Sequence, residues 1–169
     1  MLSALWPFDA EASRAILVWG AIATAVMSSL LEGSQLLGYS RISLPFLFGT
    51  FVTGRRDRAE IYGFVLYALG GLLFAWFYAL AFTALGPATW WIGGLMGLGH
   101  GLFLVTVFLP LLPFVHPRMR TNYDGPASRP QLEPPGAFGL NYGRRTPAIT
   151  ILAQTAFGAI LGAALGPQL

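Results

Sequence analysis

The chain has no cysteine in its 169 residues. Disulfides, thiolate metal sites, iron–sulfur clusters and cysteine nucleophiles are thereby excluded. Lysine is missing too, so every basic residue is an arginine. Charge of either sign is scarce: 10% of the residues are charged, against about a quarter in an ordinary soluble domain. A net charge of +3, carried on arginines scattered through loops, gives no reason to expect nucleic acid as a partner. Phosphate loops, dinucleotide fingerprints, zinc motifs and nucleophile triads have no match in the sequence. Gly-Leu-Gly-His-Gly at 97–101 lies inside an apolar run, where no phosphate would reach. The chain is therefore expected not to be an enzyme, and no motif implies a metal or cofactor.

What is present is apolar surface. The hydrophobic fraction is 55%, and a hydrocarbon core of ~30 Å is crossed by about 20 apolar helical residues. Four stretches meet that length, at about 15–37, 61–85, 90–112 and 148–165, and predict an all-α bundle of four transmembrane helices forming one membrane domain over 1–169. The first fourteen residues do not read as a signal peptide, because Asp9 and Glu11 precede Arg14 where a basic segment belongs. Only Gly86 to Thr89 separate the second and third spans. An antiparallel hairpin is expected there, with Trp90 and Trp91 at the membrane interface. Ile42 to Thr53 is apolar but too short to cross, so it is read as a re-entrant or interfacial segment.

The arginines orient this arrangement. Arg41, Arg55, Arg56 and Arg58 lie in the connection 38–60, and Arg118, Arg120, Arg129, Arg144 and Arg145 in the connection 116–147, with Arg14 alone on the opposite side. By the positive-inside rule both connections are cytoplasmic and both termini face the periplasm of an inner membrane. The six prolines of the second connection predict an extended loop rather than a helix. Pro110 and Pro113 are expected to stop or kink the third span near Leu109.

Association in lipid depends on small residues that let backbones approach. Gly93, Gly97 and Gly101 recur at four-residue spacing in the third span, Gly158, Gly162 and Gly166 in the fourth, and Gly71, Ala75, Ala79 and Thr83 in the second. Each set shares a helix face. Since one bundle is not expected to hide all three, one track is left for a partner membrane subunit or a second copy. Phe48-Gly49 with Gly54-Arg55-Arg56 is echoed by Phe138-Gly139 with Gly143-Arg144-Arg145, a similarity read as chance rather than duplication.

Two ionisable residues fall within the spans, Glu32 and His100, and intramembrane ionisable groups are functional candidates by default. Glu32 continues a polar stripe of Thr24, Ser28 and Gln35 on one helix face, with Thr106 and Gln154 expected at a similar depth. This set reads either as a small polar site for a proton, cation or head group, or as a structural carboxylate bonded to its neighbours or paired with Arg41 or Arg55. His100 lies about 15 Å below Trp90. It reads either as an axial ligand to one pigment or metal, or as a neutral imidazole bonded to Thr24 or Ser28. Arg55, Arg56, Arg144 and Arg145 are candidate contacts to anionic lipid head groups.

Three functions follow. The first is a non-enzymatic accessory or scaffold subunit of a larger membrane complex, the second a small oligomeric transporter or channel using Glu32, and the third a pigment or redox-cofactor protein ligated by His100. The bilayer itself is the one partner every reading shares.

Overall fold

The computed structural model describes residues 7–86, 88–120 and 131–169. The fold is all-helical. Four helices are long and apolar enough to cross a membrane: α1 (Ala10–Leu36), α3 (Arg56–Leu85), α4 (Trp90–Val115) and α5 (Thr146–Leu165). A short helix, α2 (Leu44–Val52), lies between the first two. Among the described residues the one extended pairing is an isolated bridge between Met119 and Leu132.

Local chemistry sets the ends. The Asp9 carboxylate accepts the Ala12 N–H at 2.8 Å and starts α1 five residues before its apolar run. Gly38, at φ +70°, ends it: Tyr39 N–H reaches Ser34 O and Gly38 N–H reaches Gln35 O, which satisfies the last carbonyls. Ser43 caps Phe46 N–H and Thr89 caps Ile92 N–H. Helix α3 begins at Arg56 rather than 61, because Arg56, Asp57, Arg58, Ala59 and Glu60 add a polar turn that apolar length does not register.

Of the stop or kink expected near Leu109, the stop does not occur. Helix α4 runs on to Val115 through a π-turn at Leu104–Phe108, where Leu109 N–H donates to Leu104 O five residues back. Pro110 then opens the renewed α-helical register, the position at which a missing donor costs least.

Helices α4 and α5 pack antiparallel with almost no separation. A Cβ on Gly97 would lie 2.2 Å from Gln154 O, and one on Gly162 would lie 2.1 Å from Thr89 O. Gly101 faces Ile151, and Gly166 faces Ala88 O. Helices α1 and α3 meet likewise, Gly20 against Ala75 and Thr24 against Gly71. All three small-residue tracks thus make contacts within the chain, while Thr83 at the end of the α3 track is exposed. Two further glycines, Gly49 against Ala59 O and Gly63 against Pro45 O, seat α2 on the first turns of α3.

The expected hairpin of the second and third spans is open, joined by the short turn and bridged by side chains rather than packed backbone to backbone. Backbone packing runs α4–α5–α1–α3–α2, and α3 and α4 scarcely touch despite the short turn joining them. Aromatic side chains stand between them: Phe74 of α3 lies 4.4 Å from the His100 ring of α4, centre to centre, and Tyr78 lies 5.5 Å from Phe157 of α5. At the other end of the gap Phe48 of α2 reaches Phe108 of α4. Helix α2 is therefore a wedge between α3 and α4. Phe48-Gly49 is helical, whereas Phe138 and Gly139 take positive φ inside a compact turn at Ala137–Tyr142, so the sequence echo is no structural repeat.

Candidate functional site

Past the Thr24–Gly71 contact, α1 and α3 diverge, and the N-terminal end of α2 fills only part of the opening. A groove of ≈ 510 Å³ remains, lined by Ser28, Glu32, Gln35, Arg41, Ser43 and Arg56 among others. Glu32 is half-buried in its wall. Gln35 Nε2 donates to Glu32 Oε2 at 3.2 Å, and Ser43 Oγ donates to Oε1 at 3.3 Å. Gln35 also donates to Ile42 O, which fixes its amide between the two helices. The carboxylate has hydrogen bonds but, among the described residues, no ion pair.

The arginines expected to reach it are held elsewhere. Arg41 pairs with Glu133 at 3.2 Å and Arg55 with Asp57 at 2.9 Å. Arg56, on the groove rim, pairs with Glu60 at 3.2 Å and lies over the Phe46 ring. These pairs are exposed and therefore weak, although Arg41 is held by Asn141 O as well. The groove thus holds Glu32 without an ion pair inside, and Arg41, Arg56 and Glu60 at its edge.

Above it runs an apolar cleft of ≈ 330 Å³ between α1 and α3, lined by Ala21, Thr24, Ala25, Ala68 and Leu72 among others. Ser28 and Phe64 line both spaces, so the polar groove and the apolar cleft adjoin between α1 and α3.

The remaining candidates disperse. Thr24 and Ser28 donate to the carbonyls of Gly20 and Thr24, in their own helix. Thr106 is exposed and donates to Leu102 O. Gln154 is buried on α5 and lines a different cavity, together with His100. His100 is bonded to neither Thr24 nor Ser28; its Nδ1 lies 3.5 Å from Tyr78 Oη. No three His, Asp or Glu side chains converge to hold a metal among the described residues. Of the four arginines assigned to head groups, Arg55 and Arg56 are paired as above, Arg145 lies over the Tyr39 ring at 4.4 Å, and Arg144 is exposed.

His116 is the polar residue that sequence reasoning missed. It is 4% exposed. Its Nδ1 accepts the Arg118 N–H at 3.1 Å, which leaves the proton on Nε2, and Nε2 donates to Thr50 Oγ1 at 3.1 Å. Phe51 packs edge-on against the ring at 4.0 Å. Arg118 Nη1 donates to Thr50 O and Phe51 O, capping the last carbonyls of α2. The segment after α4 thereby clamps the wedge helix. Burial, with smaller help from Arg118, pulls the imidazole below its ordinary value of 6.5.

The two connections also interlock. Arg41 N–H donates to Tyr142 O at 2.7 Å, the Arg41 guanidinium bonds Asn141 O, and Ser40 Oγ meets Thr146 Oγ1 at 2.8 Å. Tyr142 Oη donates to Glu133 O at 2.6 Å, and burial pushes this phenol up to about 12. The Pro-rich connection, expected to be extended, is instead drawn together, with Arg120 N–H on Leu132 O and Leu132 N–H on Arg118 O. Residues 121–130, including Arg129, lie outside the described residues. No family model, curated protein or solved structure matches the chain.

Proposed function

We propose that the chain is a non-enzymatic, multi-pass protein of a bacterial inner membrane that binds an amine-headed phospholipid from the cytoplasmic leaflet, with Glu32 taking the ammonium group. The observation that carries this reading is the pair of adjoining spaces. A carboxylate without an ion pair sits in a groove edged by Arg41, Arg56 and Glu60, beside an apolar cleft. A zwitterionic phospholipid has the matching parts, with its head group folded back so that the ammonium reaches Glu32 while the phosphate meets the guanidinium groups. Ammonium–carboxylate and guanidinium–phosphate bonds are among the stronger hydrogen bonds, and the cleft removes acyl surface from competing lipid. The orientation rests on the nine arginines of the two connections against Arg14.

Lipid extraction from the detergent-purified protein is the direct test. Phosphatidylethanolamine enriched over its share of the membrane, and no longer enriched in Glu32→Gln, supports the reading. Phosphatidylglycerol enriched instead would overturn it, since the groove would then be serving its arginines alone. The accessory-subunit reading draws less from the small-residue tracks, because most of their members make contacts within the chain. A Glu32-linked transporter shares this groove and is separated from simple binding by lipid or ion flux in reconstituted vesicles.

A further inference from the structure

The gap between α3 and α4 holds a second cavity, of ≈ 170 Å³, to which all five helices contribute. Its wall is apolar and largely aromatic, with Phe48, Phe74, Phe108 and Phe157 around it. Three polar side chains line that wall with hydrogen-bonding capacity unused. The Tyr67 hydroxyl is buried beside Ser28, with no hydrogen bond of full geometry to it. Gln154 is 4% exposed, and its amide makes no hydrogen bond to a described residue. His100 has only the long approach of Nδ1 to Tyr78 Oη, which leaves Nε2 without a partner.

Buried polar groups in native proteins are satisfied by something. Here they converge on a space rather than on one another. The cavity wall carries no carboxylate and no arginine, so a charged occupant would meet no counter-charge in an apolar surround. The amide N–H₂, the phenol O–H and an imidazole N–H can all donate to oxygen acceptors. Phe74 lies over the His100 ring at 4.4 Å and 33°, a stacking surface suited to a flat ring. Gly70 and Gly71 leave one side of the wall without side chains, and beyond the Cα of Gly70 there is open space.

We propose that this cavity binds a neutral, lipophilic ring bearing carbonyl oxygens, of the quinone class, which enters from the lipid phase between α3 and α4. Gln154 and Tyr67 donate to its carbonyls, and His100 with Phe74 stacks on its face. Tyr67 lines both this cavity and the apolar cleft, but the cavity shares no residue with the Glu32 groove and does not depend on the phospholipid reading.

The test titrates decylubiquinone into the full-length protein in detergent micelles and follows tryptophan quenching against empty micelles carrying free tryptophan. Saturable one-to-one quenching is expected. Gln154→Leu, which removes one donor, weakens it about tenfold, and Gly70→Leu, which fills the space without removing a polar group, weakens it at least as much. Circular dichroism and elution volume check that both variants stay folded, and Glu32→Gln leaves the affinity unchanged. Quenching that does not saturate, equal displacement by dodecanol, or retained affinity in both cavity variants would each overturn the proposal.

Discussion

Gly93 and Gly158 face each other so closely that a Cβ on either would lie 2.0 Å from the other's carbonyl oxygen. No side chain can be added at this point without moving a helix. Gly93→Val and Gly158→Val are therefore expected to destabilise the bundle by about 1–3 kcal/mol. Gly99, six residues further along the same helix, has open space beyond its Cα, and Gly99→Ala should leave stability unchanged or raise it by up to about 1 kcal/mol. Thermal midpoints of the three variants in one detergent check the contrast. Equal losses at Gly93 and Gly99 would show that helix propensity, not backbone approach, controls these positions.

The clamp on α2 predicts a dependence on pH. Because burial lowers the His116 pKa in the folded protein, the unfolded chain binds more protons around and below pH 6.5. Stability then rises with pH through that range and is lost as pH falls below it. The proton would have to enter at Nδ1, which already accepts the Arg118 N–H. His116→Gln keeps a donor toward Thr50 but cannot titrate, so its thermal midpoint should fall less than the wild type's between pH 7.5 and 5. Parallel pH profiles would contradict the clamp.

The exposed ion pairs predict very little. Arg55 and Asp57 are both more than half exposed, and such pairs contribute about 0–1 kcal/mol. Asp57→Asn should shift the denaturation midpoint by less than Thr50→Val, which removes the hydroxyl between His116 and Leu47 O. The reverse order would mean that surface charge, not the clamp, holds α2 in place.

The absence of native cysteine makes the proposed orientation directly testable. Single cysteines at Arg144 and at Leu169 should differ in labelling by a membrane-impermeant maleimide on intact bacterial cells with a permeable outer membrane. Leu169→Cys is expected to react and Arg144→Cys to react only after lysis. The opposite pattern would invert the protein and move Glu32 to the outer leaflet.

The four long helices were legible because apolar length is a one-dimensional signal. Neighbour relations were not. The short turn at Gly86–Thr89 implies a hairpin, yet Phe74, Tyr78 and His100 fill the space where α3 and α4 would close, and the glycines of α4 find a closer partner in α5. Glu32 stood out as an intramembrane carboxylate, and its neighbour Gln35 lay on the same helix face. Ser43 was hidden because it enters from a separate helix. Thr106 and Gln154 were grouped with Glu32 by depth alone, and depth does not say which way a helix face turns. His116 follows two prolines and reads as loop, so nothing in the sequence announces that Thr50 and Leu47 bury it.

The central claim is that Glu32 selects an amine-headed lipid, and native mass spectrometry of the protein released from mixed micelles tests it most directly. With phosphatidylethanolamine and phosphatidylglycerol offered in equal amounts, the wild type should retain the former about tenfold more strongly, the loss of one charge-assisted bond being about 1.5–3 kcal/mol. Glu32→Gln should remove that preference while the helical signal stays intact. Equal retention of the two lipids by the wild type, or an undiminished preference in Glu32→Gln, would contradict the account.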